Sequence, residues 1–106
     1  KSHKGYKIAY KLMPKGSGAI ISFGLKGGKK SAVKFIESLK IFSHLANIGD
    51  AKSLIIHPAS TTHSQLSKSE LSKVGITEDL IRISVGIEDL DDLLKDINSA
   101  LLKSFK

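Results

Sequence analysis

Apolar residues recur along the chain in two spacings, one helical and one alternating. Residues 29–43 and 88–105 have the helical spacing, which predicts an amphipathic helix in each range. The second range is the longer, and six residues form its predicted buried face: Leu90, Leu93, Leu94, Ile97, Leu101 and Phe105. Acidic residues crowd the first turn of this range, where the helix dipole favours negative charge. We therefore expect the last helix to pack on the core along that face.

Three short segments have the alternation that is typical of strands, namely residues 18–23, 52–57 and 80–85. In the third segment, Ile81, Ile83 and Val85 share one face. Arg82 and Ser84 consequently fall on the opposite face. If the apolar face packs on the helices, Arg82 projects from the other side of the sheet.

A short helix is predicted between the second and third strands. Ser67 followed by Glu70 is the capping-box pattern that starts a helix, and Gly75 is the stop signal after it. The order of elements is then β-α-β-α-β-α. We predict an α+β domain over residues 18–106, with a small sheet and helices packed on one face. Residues 1–17 are predicted to be a basic arm or helix with a loop that leads into this domain.

Composition excludes several classes of function. The apolar fraction of 41% and the charged fraction of 25% are typical of a soluble globular domain. Because the sequence has no cysteine, disulfides, cysteine nucleophiles and thiolate metal sites are excluded. No apolar run approaches the roughly 18 residues that span a membrane, and the start of the chain lacks the features of a secretory signal. These observations favour a cytoplasmic protein without membrane contact.

The net charge of +7 is unevenly distributed. Residues 1–53 carry eleven lysines against two acids, whereas residues 54–106 carry six basic residues against eight acids. A basic half is a feature of nucleic-acid-binding proteins. The lysines are mostly spread singly, however, and the six aromatic residues form no base-stacking motif. We therefore expect solvated lysine faces and no nucleic-acid partner, with a basic nucleic-acid-binding domain as the weaker alternative.

Arg82 is the one arginine in a chain that otherwise uses sixteen lysines, and it lies in an apolar run. A guanidinium differs from an ammonium because it is planar and binds a carboxylate through two parallel hydrogen bonds. An arginine in mid-strand therefore indicates a carboxylate partner. That partner is either internal, with Asp79 or Glu78 as candidates, or belongs to a ligand. The residues alone leave both interpretations open.

The segment from His57 to His63 is rich in hydroxyls and imidazoles. The spacing of the two histidines matches no zinc motif, and Ser60, Thr61 and Thr62 lack the glycines of a nucleophile elbow. We therefore expect neither a metal site nor a serine nucleophile here. A loop of this composition is still able to contact a polar substrate.

Three stretches of the chain resemble the C-terminal domain of O-acetylhomoserine sulfhydrylases, in the Cys/Met-metabolism family of pyridoxal-phosphate enzymes. They are residues 18–28, 35–65 and 75–90. The run GDAKSLIIHPASTTH at residues 49–63 is similar to the sulfhydrylase branch in particular, and LIRISVG at residues 80–86 carries the arginine motif. The resemblance covers nearly the whole chain in order. It implies the small C-terminal domain of a fold-type-I enzyme, with a mainly antiparallel sheet.

The same resemblance implies a substrate site. The arginine of the motif, which is Arg82 here, is expected to bind the α-carboxylate of the amino-acid substrate. Ser53 is on local grounds an ordinary strand-end residue, but the resemblance implies a position beside that carboxylate. His57, Thr61 and Thr62 are expected in a loop near the mouth of the active site, without an assigned catalytic role. No catalytic, cofactor-binding or metal-binding residue is expected within the chain.

The reaction implied by the resemblance replaces the acetate of O-acetylhomoserine with sulfide or methanethiol, which yields homocysteine or methionine. The sequence lacks the Ser-x-Thr-Lys context of the lysine that carries pyridoxal phosphate. We therefore expect that cofactor to be bound covalently by a large N-terminal domain outside this chain, in a homotetrameric enzyme. Alone, the chain should be inactive. The alternative is a stand-alone regulatory module that binds an amino acid through Arg82 and Ser53.

Overall fold

The computed structural model describes residues 2–105, so Lys1 and Lys106, the outermost residues of the two predicted segments, lie outside the described part of the chain. The elements in chain order are α1 (Tyr6–Leu12), β1 (Ile20–Gly24), α2 (Gly28–Ser38), β2 (Ser43–His44), β3 (Leu54–Ile56), a 3-10 helix (Pro58–Ser60), α3 (Lys68–Lys73), β4 (Leu80–Ser84) and α4 (Leu90–Ser104). The predicted strands and helices are present. β2 is an additional strand that the sequence pattern did not predict.

The four strands form one sheet in the order β1-β4-β3-β2, so β4 and β3 are central. β4 pairs antiparallel with both β1 and β3, whereas the short β2 pairs parallel with β3. The sheet is therefore mainly antiparallel, as expected. Because β4 is hydrogen-bonded along both edges, the side chains that it carries start from a fixed backbone.

α2 and α4 pack against each other and on one face of the sheet. Ile81 and Ile83 of β4 lie in this core, and their cross-strand partners Phe23 and Ile21 share the same face. The rest of the buried cluster comprises Leu25, Ala32, Phe35, Ile36, Phe42, Ile55, Leu93 and Ala100. The face predicted from the alternation is confirmed, so Arg82 lies on the face away from these two helices.

α2 is shorter than its apolar pattern predicted. It ends at Ser38, and Leu39 already has the extended backbone angles φ −71° and ψ 146°. The reason is a contact from far along the chain. The carboxylate of Asp96 on α4 accepts hydrogen bonds from the backbone amides of Lys40 and Ile41 at 2.8–3.0 Å. Those amides would otherwise continue the ladder of the helix, and the released segment supplies β2.

α4 is buried along a stripe that only partly overlaps the predicted one. Its buried residues are Leu93, Asp96, Ala100 and Ser104. Three residues of the predicted face, Leu90, Leu94 and Phe105, are 66%, 48% and 58% exposed, whereas Ile97 and Leu101 are partly buried against the core. The predicted face was therefore wrong for three of its six residues. The apolar spacing could not reveal the buried stripe, because the middle of that stripe is a polar residue, Asp96.

α3 confirms the predicted capping box. The hydroxyl of Ser67 accepts from the amide of Glu70, and a carboxylate oxygen of Glu70 accepts from the amide of Ser67 at 2.8 Å. The hydrogen bonds from the Ser67 hydroxyl and amide lower the pKa of Glu70. Gly75 follows with a φ of 74°, a left-handed value that glycine adopts without strain. Both signals are local in sequence, which is why the sequence alone reveals them.

α1 stands apart from the core. None of its residues is buried, and Ile8, Tyr10 and Leu12 are 62–72% exposed. The radius of gyration of 14.5 Å accordingly exceeds the roughly 13 Å expected of a compact domain of this size. The basic segment at the start of the chain is thus partly helical, and within the described residues its apolar side chains are uncovered.

Candidate substrate-carboxylate site

Arg82 lies in the middle of the sheet with an unpaired guanidinium. The residue is half-buried on β4, and its cross-strand partners are Ser22 on β1 and Ile56 on β3. Among residues 2–105 its side chain forms neither an ion pair nor a hydrogen bond. Removing a cation from water is costly unless an anion compensates it. Among residues 2–105, no carboxylate compensates the part of Arg82 that is buried.

The two internal acids considered as partners of Arg82 are turned elsewhere. Glu78 forms an ion pair with Lys68, with 3.2 Å between Oε1 and Nζ. The carboxylate of Asp79 lies against Gly24 at the end of β1, in the space that a side chain at that position would occupy. The internal salt bridge is therefore not formed within the described residues.

Ser53 is fully buried, and its polar groups are used within the protein. Its amide and its hydroxyl donate to the two carboxylate oxygens of Glu88, at 2.8 and 2.7 Å. The amide of Gly86 donates to the same hydroxyl oxygen at 2.8 Å. A serine hydroxyl has one proton, and Glu88 already accepts it. The structure thus does not bring Ser53 and Arg82 into contact, and Ser53 holds the start of β3.

Gly86 allows the contacts between Ser53 and Glu88, because a side chain at position 86 would have no room beside them. A Cβ on Gly86 would lie far inside van der Waals contact of the backbone of Ala51 and Lys52 and of the Glu88 carboxylate. The amide of Ile87 also donates to the carbonyl of Ala51 at 2.9 Å. The segment that follows β4 is therefore attached directly to the segment that precedes β3.

The hydrogen bonds from the Ser53 amide and hydroxyl lower the pKa of Glu88. Such a carboxyl contributes stability that is present above its unfolded pKa, about 4.3, and is lost as the pH falls through the folded value. Glu88→Gln cannot titrate, so we expect it to flatten the fall in the chain's melting temperature between about pH 5 and pH 3. Thermal unfolding followed by circular dichroism measures this slope. An unchanged slope would contradict the lowered pKa of Glu88.

His57 is buried, and its ring is hydrogen-bonded on both sides. Nε2 lies 2.7 Å from the carbonyl oxygen of Glu78, which can only accept, so Nε2 carries a proton. Nδ1 lies 2.7 Å from the hydroxyl of Ser60. Thr61 donates to the carbonyl of His57 at 2.8 Å, whereas Thr62 is exposed. His57 therefore fixes the loop against the segment before β4, and its two nitrogens are already occupied.

The chain is similar over nearly its whole length to one family of enzymes. Residues 1–102 match the model of the Cys/Met metabolism PLP-dependent enzymes. The chain belongs to this family. An O-acetyl-L-homoserine sulfhydrylase of Leptospira meyeri is 54% identical over 99 residues, which cover 92% of this chain and 22% of that protein. A homocysteine synthase of Schizosaccharomyces pombe is 50% identical over 100 residues, which cover 94% of this chain and 23% of that protein.

Solved structures of Cys/Met metabolism enzymes contain the same fold. A Campylobacter jejuni protein described as an O-acetylhomoserine (thiol)-lyase, with a pyridoxyl-lysine monophosphate, has a TM-score of 0.85 and 42% identity over 95% of this chain and 24% of its own. Cystathionine gamma-lyase from yeast has a TM-score of 0.92 and 40% identity over 100% of this chain and 27% of its own. The α+β fold of a fold-type-I enzyme is confirmed. The chain spans about a quarter of the length of the curated relatives that it matches.

Membership of the Cys/Met metabolism family implies pyridoxal phosphate, which a lysine must carry. Such a lysine is activated by burial or by a neighbouring cation, either of which lowers its pKa. Every lysine between residues 2 and 105 is exposed to solvent. The lysines described in this structure therefore do not fit a covalent cofactor site, and no step of the chemistry is assigned to them.

Within residues 2–105, no group of three or more His, Asp or Glu side chains could hold a metal ion. In the same range, no helix combines the length and the apolar character that a membrane span needs.

Sequence reasoning missed Glu88 as a structural member of the site. The pattern assigned Glu88 to the acidic first turn of the last helix, but the helix begins at Leu90 and Glu88 binds Ser53 instead. The two residues are 35 positions apart. The sequence signal for this contact was a glycine and an acid, Gly86 and Glu88, shortly after a strand. Nothing local indicated which residue the acid would contact.

Proposed function

We propose that this chain is the C-terminal domain of a longer pyridoxal-phosphate-dependent O-acetylhomoserine sulfhydrylase. Such an enzyme replaces the acetate of O-acetylhomoserine with sulfide or methanethiol and so produces homocysteine or methionine. The observation that carries the proposal is that Arg82, a half-buried residue on a central strand, has a guanidinium that is unpaired within residues 2–105. Relatives named O-acetyl-L-homoserine sulfhydrylase and homocysteine synthase support it, and so does their greater length.

Arg82 binds the α-carboxylate of the amino-acid substrate in this proposal. Two parallel N–H···O hydrogen bonds fix both the position and the plane of a carboxylate. Because β4 is paired on both sides, little beyond side-chain freedom is lost on binding. Pyridoxal phosphate, when bound, supplies the electron sink, and the reacting bonds of the substrate must be aligned with its ring. The contribution of this chain is therefore binding and orientation.

The other expected site residues act through the backbone in this proposal. Ser53 holds the start of β3 against the segment after β4, through Glu88. The loop that contains His57, Thr61 and Thr62 lies at the mouth of the active site. Its first residue is anchored by two hydrogen bonds, and Thr62 is its exposed member. Direct contact with the substrate is thus assigned to Arg82 alone.

A large N-terminal domain of the same longer protein is the partner that we propose. The relatives' chains are about four times as long as the matched segment, which leaves room for such a domain. Ile8 and Leu12 on α1 and Ile20 and Ile21 on β1 are 40–72% exposed, and we propose that the large domain covers some of them. In this proposal the large domain carries pyridoxal phosphate covalently, and the enzyme is a cytoplasmic homotetramer.

The proposal is tested by an assay of the longer protein that contains this chain. The purified protein should be yellow from its bound cofactor, and it should form homocysteine from O-acetylhomoserine and sulfide. Replacing O-acetylhomoserine with O-succinylhomoserine in parallel tests the leaving group. The segment alone should be colourless and inactive. A longer protein without the activity, or a segment that binds amino acids by itself through Arg82, would favour the stand-alone module instead.

A further inference from the structure

An open cleft of about 920 Å³ lies between α2 and the end of α4. Its lining includes three lysines of α2, namely Lys29, Lys30 and Lys34, and the exposed side chain of Phe105. Clefts that bind small molecules commonly have volumes of about 300–1,000 Å³. α2 and α4 cover the face of the sheet opposite to Arg82, so this cleft is separate from the candidate carboxylate site.

The charge of the cleft is positive and is not compensated within the described residues. Its lining contains three lysines and one acid, Glu37, which gives a net charge of +2. Among residues 2–105, none of the three lysines forms an ion pair. A carboxylate has a single negative charge, whereas a phosphate monoester carries about −1.5 to −2 at neutral pH. The net charge of the cleft therefore matches a phosphate group more closely than a carboxylate.

The charged residues of α2 oppose the dipole of their own helix. Lys29 and Lys30 lie in its first turn, which contains no acid, and Glu37 lies in its last turn, which contains no basic residue. Anions stabilise the start of a helix and cations its end, so both ends of α2 carry the less favourable charge. Lys30 and Lys34 are also four residues apart, a spacing at which like charges repel each other. α3 and α4 have the favourable arrangement, with acids in the first turn and a lysine in the last.

This exception within one fold indicates a function for the lysines of α2, because natural proteins break such local rules mainly at functional sites. Lysine binds phosphate as a point charge on a flexible stem, so several ammonium groups can approach one phosphate from different positions. The rest of the cleft offers apolar surface. Phe105 is 58% exposed, and Val33 is half-buried. An aromatic ring of this kind is able to stack with a ring of a ligand.

We propose that this cleft binds a small molecule that has both a phosphate group and an aromatic ring. The phosphate contacts the ammonium groups of Lys29, Lys30 and Lys34, and the ring of the ligand stacks on Phe105. The bound phosphate neutralises the lysines and so removes the repulsion between them. The site does not depend on the proposed function, because Arg82 lies on the other side of the sheet.

The test is isothermal titration calorimetry of the longer, cofactor-loaded protein, in phosphate-free buffer, with AMP, adenosine and inorganic phosphate. AMP has both the phosphate and the ring, whereas each of the other two probes lacks one of them. We expect one AMP to bind per chain, with a Kd at least about tenfold lower than that of adenosine or phosphate. The proposal is overturned if neither AMP nor phosphate binds at concentrations up to about 10 mM.

Variants of the same protein test the residues of the cleft. The double variant Lys30→Gln/Lys34→Gln should bind both AMP and phosphate at least about tenfold more weakly. Phe105→Ala should weaken the binding of AMP about fivefold and leave that of phosphate unchanged. Lys73→Gln is the matched control, because Lys73 is an exposed lysine on α3 outside the cleft. An equal loss in Lys73→Gln, or AMP binding that survives in the double variant, would overturn the site.

The melting temperature of the double variant without ligand gives an independent check. It should not fall, because the substitutions remove charges that are unfavourable where they stand. A lower melting temperature would show that the lysines stabilise α2, and it would contradict the electrostatic argument for a ligand.

Discussion

Arg82→Lys in the longer enzyme is expected to lower kcat/KM for O-acetylhomoserine by about a hundredfold. The substitution keeps the positive charge, so the loss measures geometry and not charge. An ammonium cannot form two parallel hydrogen bonds in one plane, and the bound substrate then samples orientations in which its reacting bonds are misaligned. We therefore expect KM to rise and kcat to fall together. Arg82→Met, which also removes the charge, should have the larger effect.

Lys68→Met is the control variant for Arg82→Lys. Lys68 is an exposed cation, and its removal frees Glu78, the acid that the sequence suggested as an internal partner of the arginine. If Glu78 does not influence the site, the kinetic constants of Lys68→Met should match those of the unaltered enzyme. Initial rates at several O-acetylhomoserine concentrations give both constants. Normal kinetics for Arg82→Lys would remove Arg82 from the site.

Asp96→Ala is expected to have the largest effect on stability, about 3 kcal/mol. Asp96 is 7% exposed, and its carboxylate accepts from the amides of Lys40 and Ile41. Alanine would leave these two amides without their acceptor and would open a gap between α4 and the end of α2. Asp96→Asn should be less destabilising than Asp96→Ala, because its side-chain oxygen can still accept from both amides while its NH2 group opposes only the amide of Lys40.

The measurement for Asp96 is hydrogen exchange together with the melting temperature of the purified protein. The amides of Lys40 and Ile41 should exchange much faster in Asp96→Ala. Asp92→Ala is the matched control on the same helix, since Asp92 forms an exposed ion pair with Lys95 at 3.4 Å. Surface pairs of this kind contribute at most about 1 kcal/mol. Equal losses in the two variants would show that the buried contacts of Asp96 are not important.

The contrast between α2 and α3 shows which parts of the fold the sequence can reveal. The start and stop of α3 depend on Ser67, Glu70 and Gly75, which lie within nine residues of one another. The end of α2 depends on Asp96, 55 residues beyond the amide of Ile41 that it binds. No local pattern contains that contact. The apolar spacing therefore predicted too long a helix, and β2 was missed for the same reason.

The same distinction holds for the candidate site. The side of the sheet that carries Arg82 follows from strict alternation along one strand, and the sequence predicted it correctly. The engagement of Ser53 by Glu88 could not be predicted, because it depends on how two strand ends meet. The buried hydroxyl of Ser84, which has no hydrogen-bonding partner among residues 2–105, was equally invisible, since a serine in a strand pattern carries no mark of burial. The alternation along a strand predicts which side chains share a face of the sheet. Contacts between residues that are distant in sequence become visible only in the assembled sheet.

The strand order has a consequence for the polypeptide as it is translated. β4 is the last strand to be made, yet it is the partner of both β1 and β3. When β1 leaves the ribosome, more than fifty residues separate it from its partner. At the usual rate of about 5–20 residues per second, β1 stays unpaired for several seconds. During that interval its Ile20-Ile21 edge is a favourable target for chaperones and for strands of other nascent chains.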